Sequence, residues 1–382
     1  MAPNLALDAI SGFEVGSTIA DPMVGSGTVA MTAVAAGHKF VGFDLDPLAT
    51  LIARVSTSSF DHDYVRSLTD QVIRSANAKQ VEPTDLPWVE ANDETHKFME
   101  FWFGQRQQTA LAQLSFQIHR LDQEDPGTEV DALKVALSRI IVTKESKASL
   151  ARDTSHSRPH KVADDSNFDV LQGFSLSVSQ LLRRHSNLSI VGLAEIMRGD
   201  ARNLVSLSDG RCDAIVSSPP YLNAIDYLRG HKLSLVWLGY TIPQIRQMRS
   251  NSVGAERASE ENTSSAQSIL DSFGDLSALA GRQRGMVARY AIDLSRLASE
   301  ASRILKPHGT ALYVMGNSCL KKVYIDNAAA LARAAELAGL ELMDRSERDI
   351  PSNNRYLPTP SDDGALSGRM RKEIVLRFRK AA

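Results

Sequence analysis

The part of the chain that most constrains its fold is a glycine-containing turn between a strand candidate and a helix candidate. Residues 17–20 form a short, largely apolar segment that leads into the turn at 21–27. Residues 28–36 are rich in alanine and favour a helix, and a second strand candidate at 39–43 is followed by Asp44. This order predicts half of a doubly wound α/β sheet, in which a ligand lies beyond the carboxyl ends of the strands.

The charge of this turn indicates which nucleotide ligand it accepts. Gly25 and Gly27 allow a tight turn and a close approach of the backbone to a ligand. Asp21 would repel the pyrophosphate of a dinucleotide, but it suits the ammonium and sulfonium of S-adenosyl-L-methionine. Ala30 replaces the third glycine of the dinucleotide fingerprint, and the absence of Gly-Lys-Ser/Thr excludes a P-loop. Asp44 suits the hydroxyls of a ribose, whereas an ordinary strand-turn-helix without a ligand is the alternative.

A second motif, Ser218-Pro219-Pro220-Tyr221, follows the apolar strand candidate at 213–217. Pro-Pro-Tyr is also typical of ligands for WW-type domains, but here it precedes a helix candidate at 225–238 and does not lie in a proline-rich tail. Because prolines fix the backbone, carbonyl oxygens and the Ser218 hydroxyl can accept hydrogen bonds from an amino group. Tyr221 offers a ring that can stack on a base extruded from a duplex.

Together the motifs DPMVGSGT (21–28) and SPPY (218–221) resemble those of S-adenosylmethionine-dependent DNA methyltransferases that modify adenine N6 or cytosine N4. The resemblance covers about residues 1–58 and 188–382. It implies a Rossmann-like methyltransferase sheet with an antiparallel final strand, and direct in-line transfer to a base flipped out of double-stranded DNA. The catalytic residues that it implies are Ser218, Pro219, Pro220 and Tyr221. The cofactor-binding residues that it implies are Asp21, Pro22, Met23, Gly25, Ser26, Gly27, Thr28, Asp44, Leu45, Asp200 and Ala201.

Asp200 and Ala201 belong to a third motif, which is less specific than the other two. A strand candidate at 193–198 ends in Gly199-Asp200. In the family, a Gly-Asp at this place contacts the adenine of the cofactor, and an acid in a plain turn is the alternative. The chain also departs from the family, since Met23 replaces an aromatic residue and a large insert separates the motifs. The segment before Ser17 is short, so we expect the helix that covers the methionine end of the cofactor to be incomplete.

The residue before Pro-Pro-Tyr bears on the target atom. Family members with Asp or Asn at this position mostly methylate adenine N6, whereas Ser is more usual in cytosine N4 enzymes. A short hydroxyl at Ser218 suits the smaller cytosine ring, so we expect methylation of cytosine N4. Adenine N6 of DNA, a base of RNA, and a non-catalytic nucleic-acid-binding protein with a decayed cofactor site are the alternatives.

The two cysteines, Cys212 and Cys319, argue against another chemistry. Methylation of cytosine carbon 5 needs a thiolate nucleophile in a Pro-Cys motif, and neither cysteine follows a proline. Their spacing also suggests no disulfide framework and no zinc site, so we expect no metal. A reducing cytoplasm is the natural compartment, and we expect a prokaryotic protein that joins the nucleoid when bound to DNA.

Composition limits where a DNA surface can lie. The net charge of −2 over 382 residues gives no global nucleic-acid signature, and no apolar stretch reaches transmembrane length. We therefore divide the chain into a cofactor-binding part (1–58), a largely helical insert that helps to recognise DNA (59–187) and a catalytic part (188–382). The insert contains a basic, hydroxyl-rich run, for which a solvated loop is the equal alternative. Its candidate phosphate contacts are Lys147, Arg152, Arg158 and Lys161.

The remainder of the catalytic part is expected to complete the sheet. A helix at 290–305 should stop at Lys306-Pro-His-Gly309, and the polar residues 250–266 are expected to form a loop. The loop at 350–358 resembles one that borders the substrate pocket in the family. Strands are predicted at 310–315, 340–343 and 373–378, and a helix at 325–338. Double-stranded DNA is the expected partner, a cognate restriction nuclease is a further candidate, and the sequence gives no oligomeric state.

Overall fold

A computed structural model describes residues 3–143, 147–152, 159–222, 227–254, 264–349 and 372–382. The strands in the described residues are β1 (Thr18–Asp21), β2 (Lys39–Asp44), β3 (Ala151–Arg152), β4 (His160–Lys161), β5 (Leu193–Arg198), β6 (Cys212–Ser217), β7 (Leu305–Met315), β8 (Ser318–Leu320), β9 (Val323–Ile325), β10 (Leu340–Asp349) and β11 (Lys372–Lys380). The α-helices are α1 (Pro3–Ile10), α2 (Thr28–Ala35), α3 (Pro47–Thr57), α4 (His62–Ala78), α5 (Asp93–Trp102), α6 (Gln105–Glu124), α7 (Thr128–Ser138), α8 (Val170–His185), α9 (Tyr227–Leu235), α10 (Ile242–Ser250), α11 (Ser264–Asp271), α12 (Gly281–Ile304) and α13 (Asn327–Leu337).

The chain forms two compact units. The sheet unit comprises residues 1–53, 190–225 and 250–382, and the helical unit comprises residues 54–189 and 226–249. The sequence-based division assigned residues 226–249 to the catalytic part, whereas in the structure they cluster with the helical unit.

The sheet unit contains a seven-stranded sheet in the order β10-β11-β7-β6-β1-β2-β5. Strands β5, β2, β1, β6 and β7 pair in parallel, and β11 pairs antiparallel with both β7 and β10. The predicted doubly wound sheet with an antiparallel final strand is therefore confirmed.

Both faces of this sheet are covered by apolar side chains, as parallel sheets require. One core combines side chains of α11, α12 and α13 with one face of the sheet, and Tyr290 and Phe378 are fully buried in it. The other core combines α1 and α2 with the opposite face. Strands β1 and β6 lie in the middle of the sheet and are almost wholly buried, which explains their continuous apolar sequences.

Helix α12 ends at Ile304, directly before the predicted stop at Lys306-Pro-His-Gly309, but its start and the start of the next strand differ from the prediction. Helix α12 begins earlier than predicted, at Gly281, and β7 starts immediately after it at Leu305. The pairing of β7 with β6 shifts register between Cys212 and Ala214, and His308 adopts a φ of 62°. An irregularity of this kind lets a strand accommodate Pro and Gly, so residues typical of a helix stop occur inside a strand.

The helical unit contains α4–α10, a 3₁₀ helix at Pro83–Asp85 and the short β3–β4 ribbon. Helices α9 and α10 are held by long-range contacts within this unit. The Trp88 indole donates to the Val236 carbonyl (2.8 Å), and the Ile242 amide donates to the Thr95 hydroxyl (2.9 Å). None of the helices in the described part of the chain is long and apolar enough to cross a bilayer.

Candidate functional site

Three parallel strands of the sheet unit bring the two sequence motifs to one edge. Strands β1, β2 and β6 end at Asp21, Asp44 and Ser217, and parallel strands present their carboxyl ends at the same edge. The Ser217 hydroxyl donates a hydrogen bond of 2.6 Å to Asp21 Oδ1. The glycine turn and the Ser-Pro-Pro-Tyr loop are therefore directly connected.

Asp21 is the most perturbed acid of this edge. Its side chain is 3% exposed, and its Oδ1 also accepts a hydrogen bond from the Met23 amide at 3.0 Å. Burial raises the pKa of Asp21 to about 6, although the hydrogen bonds from Ser217 and Met23 act to lower it. Among the residues that the structure describes, none donates a hydrogen bond to Oδ2. A buried carboxylate with one free oxygen is suited to a positively charged ligand.

The glycine turn is organised around Asp44. Its Oδ2 accepts from the Gly25 amide (2.9 Å), and its Oδ1 accepts from the Asp46 amide (2.9 Å). Gly25 and Gly27 adopt φ angles of 52° and 86°, a region that only glycine adopts readily. A Cβ on Gly27 would lie 3.0 Å from Ala53, whereas a Cβ on Gly25 would meet no atom within 4 Å. Gly27 is thus needed for packing, and Gly25 leaves open space above the turn.

The neighbouring acid, Asp46, has a different role from Asp44. It is 6% exposed, and its Oδ1 accepts from the amides of Leu48 and Ala49 at 2.9 and 3.4 Å. Pro47 begins helix α3 directly after it. This is the geometry of a helix N-cap, so Asp46 stabilises α3 and is not a candidate for ligand binding.

Hydrogen bonds hold the Ser-Pro-Pro-Tyr loop at Ser218 and Pro220. The Ser218 hydroxyl donates to the Val314 carbonyl of β7 at 3.1 Å. The buried Tyr290 hydroxyl of α12 donates to the Pro220 carbonyl at 2.9 Å. Because the Ser218 proton is directed at Val314, its oxygen lone pairs are left to accept from a substrate. Tyr221 is half-buried and packs against the core on the α12 face of the sheet.

Asp200 lies in an ion-pair network that the sequence did not suggest. The Arg202 guanidinium contacts both oxygens of Asp200 (2.9, 3.2 and 2.7 Å) and Asp293 Oδ1 of α12 (2.6 Å). Asp293 Oδ2 accepts from the Gly254 amide (2.7 Å), and Arg202 also donates to the Asn251 carbonyl. The network holds the loop after β5 and the segment at 251–254 against α12. Ala201, next to Asp200, is buried in the core.

The remaining cofactor candidates surround the glycine turn. Pro22 is buried, Met23 and Thr28 are half-buried, and Ser26 is exposed. Leu45 is half-buried beside Asp44. Met23 packs against the same core as Tyr221.

The environment of Cys212 disfavours its use as a nucleophile. Both are free thiols, and Cys212 is fully buried in the core. Burial raises the pKa of Cys212 to about 11, so this thiol stays protonated. The described residues contain no cluster of histidine, cysteine or acidic side chains that could hold a metal ion.

The basic run of the helical unit is partly structured. Arg152 is exposed on β3, which pairs with β4, and Lys161 on β4 lies 3.3 Å from Asp164 and 5.2 Å from the centre of the Phe101 ring. Lys147 lies 5.4 Å from the centre of the Phe168 ring. Arg158 lies outside the described residues, as do 350–358 and most of the polar segment at 250–266.

Sequence reasoning missed Arg202, Ser217 and Tyr290. Arg202 follows Asp200 by two residues, and this spacing could have suggested an ion pair. Ser217 precedes the motif directly and could have been included with it. Tyr290 lies 70 residues beyond Pro220, and no local pattern predicts their contact.

Comparison with known proteins finds similarity to two type II methyltransferases. No family model matches the chain. It is 22% identical over 286 residues to the type II methyltransferase M.BsoBI of Geobacillus stearothermophilus, covering 69% of this chain and 55% of that protein. It is 20% identical over 385 residues to the type II methyltransferase M.MvaI of Kocuria varians, covering 94% of this chain and 83% of that protein. The chain thus spans little more than half the length of M.BsoBI.

Solved structures give weaker similarities. One is a SAM-dependent methyltransferase from Methanosarcina mazei, with a TM-score of 0.35, 10% identity and coverage of 100% of this chain and 98% of that one. Another is a TehB-like SAM-dependent methyltransferase from Corynebacterium glutamicum, with a TM-score of 0.31, 11% identity and coverage of 99% and 86%. By sequence, the chain is similar to the type II methyltransferases M.BsoBI and M.MvaI.

Proposed function

We propose that this protein is an S-adenosylmethionine-dependent DNA methyltransferase that modifies an exocyclic amine, cytosine N4. The observation that carries the proposal is the hydrogen bond between Ser217 and Asp21, because it makes a turn suited to the cofactor contiguous with a loop suited to an amine. Similarity to the type II methyltransferases M.BsoBI and M.MvaI supports the reaction class.

The residues at the glycine turn fit S-adenosylmethionine. Asp21 is buried, its Oδ2 accepts no hydrogen bond from the described residues, and its pKa is raised to about 6, so a cationic ligand would stabilise its charged form. Gly25 leaves space for a ligand where any other residue would place a side chain. We assign Asp21 to the cationic methionine end, Asp44 to the ribose and Asp200 to the adenine. The cofactor supplies a methyl group on a positively charged sulfur, which a neutral amine can accept without a covalent enzyme intermediate.

The residues of the Ser-Pro-Pro-Tyr loop fit an amine. The Ser218 hydroxyl donates to Val314, so towards the substrate it acts as an acceptor. The Pro220 carbonyl is committed to Tyr290, whereas the Pro219 carbonyl accepts no hydrogen bond from the described residues. Ser218 and Pro219 therefore provide two acceptors for the two amine protons, an arrangement that turns the nitrogen lone pair towards the methyl donor. Tyr221 is proposed to stack on the flipped base.

Product analysis tests the reaction. Duplex DNA is incubated with the protein and S-adenosylmethionine and digested to nucleosides, and the nucleosides are identified by mass spectrometry. The digest should contain the nucleoside of N4-methylcytosine. N6-methyladenine alone would overturn the cytosine assignment and leave the reaction class intact. Methylation of RNA alone would overturn the substrate, and failure to bind the cofactor in calorimetry would indicate a non-catalytic protein.

Two neighbouring serines provide a matched pair of variants. Ser218→Ala removes an acceptor of the substrate amine, so turnover should fall roughly tenfold while cofactor affinity stays unchanged. Ser217→Ala removes a hydrogen bond that lowers the pKa of Asp21, so it should weaken cofactor binding. Equal effects of both variants on cofactor affinity would contradict the separate roles.

The basic residues of the helical unit are proposed to contact DNA phosphates. Arg152 is exposed on a two-stranded ribbon, and Lys147 and Lys161 lie beside aromatic rings. Replacing these three residues with alanine should flatten the salt dependence of DNA affinity by about 2.7 in the double-logarithmic slope if each contacts one phosphate. An unchanged slope would show that the run is a solvated loop.

A further inference from the structure

A lysine-tipped hairpin follows the carboxyl end of β7. Strands β8 and β9 pair from Ser318↔Ile325 to Leu320↔Val323, which leaves Lys321 and Lys322 as a two-residue turn. Their φ angles are 51° and 69°. Positive φ at both central residues is the requirement of a type I′ turn, in which Asn-Gly is strongly preferred.

This turn holds two lysines in a conformation that side chains disfavour. Apart from His308, they are the non-glycine residues with positive φ in the described part of the chain. Local backbone preference therefore does not explain lysine at either position, and strain of this kind clusters at functional sites. Both lysines are exposed, and within the described residues neither forms an ion pair.

The base of the hairpin is fixed to the amine-binding loop. The buried Ser318 hydroxyl donates to the Leu222 carbonyl, directly after Tyr221, at 2.6 Å. The Asn327 side chain at the start of α13 donates to the Ser318 hydroxyl (2.7 Å) and to the Gly316 carbonyl (2.9 Å). The turn is three residues beyond Ser318, so chain geometry keeps its backbone within about 10 Å of this anchor.

We infer that the β8–β9 hairpin binds the DNA backbone beside the target base through Lys321 and Lys322. The inference rests on the proposed function and deepens it by assigning a phosphate-binding element to the sheet unit. Two exposed ammonium groups on a two-residue turn match the chemistry of backbone phosphates, which position a protein on DNA without reading its sequence. The hydrogen bond from Ser318 to Leu222 would then link backbone contact to the loop that receives the base.

The double variant Lys321→Asn/Lys322→Gly tests the inference. It removes both charges and introduces the residues that the turn prefers, so the hairpin is retained. Binding to a fluorescent DNA duplex should weaken about tenfold at low salt, and the salt slope should flatten by about 1.8. The midpoint of thermal unfolding should not decrease, and the affinity for S-adenosylmethionine should not change.

The matched control is Lys39→Gln/Arg379→Gln, which removes two exposed charges from the opposite edge of the sheet. It should leave the salt slope unchanged. The inference would be overturned if the hairpin variant had the same salt slope as the wild type, or if the hairpin variant and the control lost the same DNA affinity. In either case, cofactor binding and methylation by the wild type would still support the proposed function. A loss of affinity for RNA and not for DNA would also overturn it. Failure of the wild type to bind both the cofactor and DNA would overturn both proposals.

Discussion

Replacing Asp21 with asparagine should stabilise the sheet unit at neutral pH and weaken cofactor binding. Burial raises the pKa of Asp21 to about 6, so the charged form is disfavoured in the fold relative to the unfolded chain. Both observed hydrogen bonds, from Met23 and Ser217, end on Oδ1, and an asparagine carbonyl can accept both. The substitution therefore removes the buried charge and keeps its hydrogen-bond partners.

The size of the stabilisation by Asp21→Asn follows from the pKa of Asp21. The difference between about 6 and the ordinary value of 3.8 corresponds, at about 1.4 kcal/mol per pH unit, to a cost of about 3 kcal/mol. Because the folded state binds the proton more tightly, this cost is absent below pH 3.8, grows as the pH rises and is complete above about pH 6. The stabilisation by Asp21→Asn should follow the same window, with its maximum near pH 7.

The assay must report on the sheet unit. All three tryptophans, Trp88, Trp102 and Trp237, lie in the helical unit, so their fluorescence is unsuitable. Amide hydrogen exchange of peptides from β1 and β6, measured at pH 4.5 and pH 7 and corrected for intrinsic rates, gives the opening free energy locally. Calorimetry with S-adenosylmethionine gives the accompanying loss of affinity, expected to be about tenfold or more because a charge-assisted contact is removed.

Asp213, on the same sheet, provides a control of opposite sign. Although burial acts to raise it, the pKa of Asp213 is lowered by hydrogen bonds from Lys306 (2.7 Å) and the Thr18 amide (2.8 Å). Asp213→Asn should therefore destabilise the sheet unit at neutral pH without affecting cofactor binding. If Asp21→Asn gave no stabilisation at pH 7, or one independent of pH, the assignment of Asp21 as a charge held for a ligand would be refuted.

Two further predictions concern the glycine turn and the helical unit. Gly27→Ala should lower the free energy of unfolding by roughly 2 kcal/mol or more, because φ is 86° and Ala53 lies 3.0 Å from the new methyl group. Gly25→Ala should lower the free energy of unfolding less than Gly27→Ala does, but it should impair cofactor binding. Similar denaturation midpoints for the two variants, with unimpaired cofactor binding by Gly25→Ala, would contradict these separate roles. Burial lowers the pKa of His185, whose Nδ1 lies 2.8 Å from His62 Nε2, below the value of 6.5 that it has in the unfolded chain. The contribution of neutral His185 to the stability of the helical unit is therefore complete above pH 6.5 and is lost as the pH falls below that value. Denaturant unfolding followed by tryptophan fluorescence from pH 7.5 to 5 should show this loss of stability, and His185→Gln should make the loss smaller. The same pH dependence in wild type and His185→Gln would contradict this role of His185.

Features that depend on neighbouring residues could be predicted from the sequence. The strand-turn-helix at 18–35 follows from an apolar run, two glycines and an alanine-rich stretch, each of which acts locally. The placement of Asp21, Asp44 and the Ser-Pro-Pro-Tyr loop at one edge also followed, because parallel strands share the direction of their carboxyl ends. The antiparallel final strand was implied by the family resemblance and confirmed by the pairing of β11.

The tertiary structure decided everything that depends on distant contacts. Local pattern predicted the end of α12, but that residues 306–309 belong to strand β7 is decided by the pairing of Leu305 and Thr310 with β6. The bond from Tyr290 to Pro220 and the Arg202–Asp293 ion pair join segments 70 and 91 residues apart, so only the packed fold brings them together. The pKa of Asp21 likewise depends on its burial in the folded sheet unit. The sequence by itself determined the local turns and the direction of the strands, and the tertiary structure determined which groups lose water and which partners they meet.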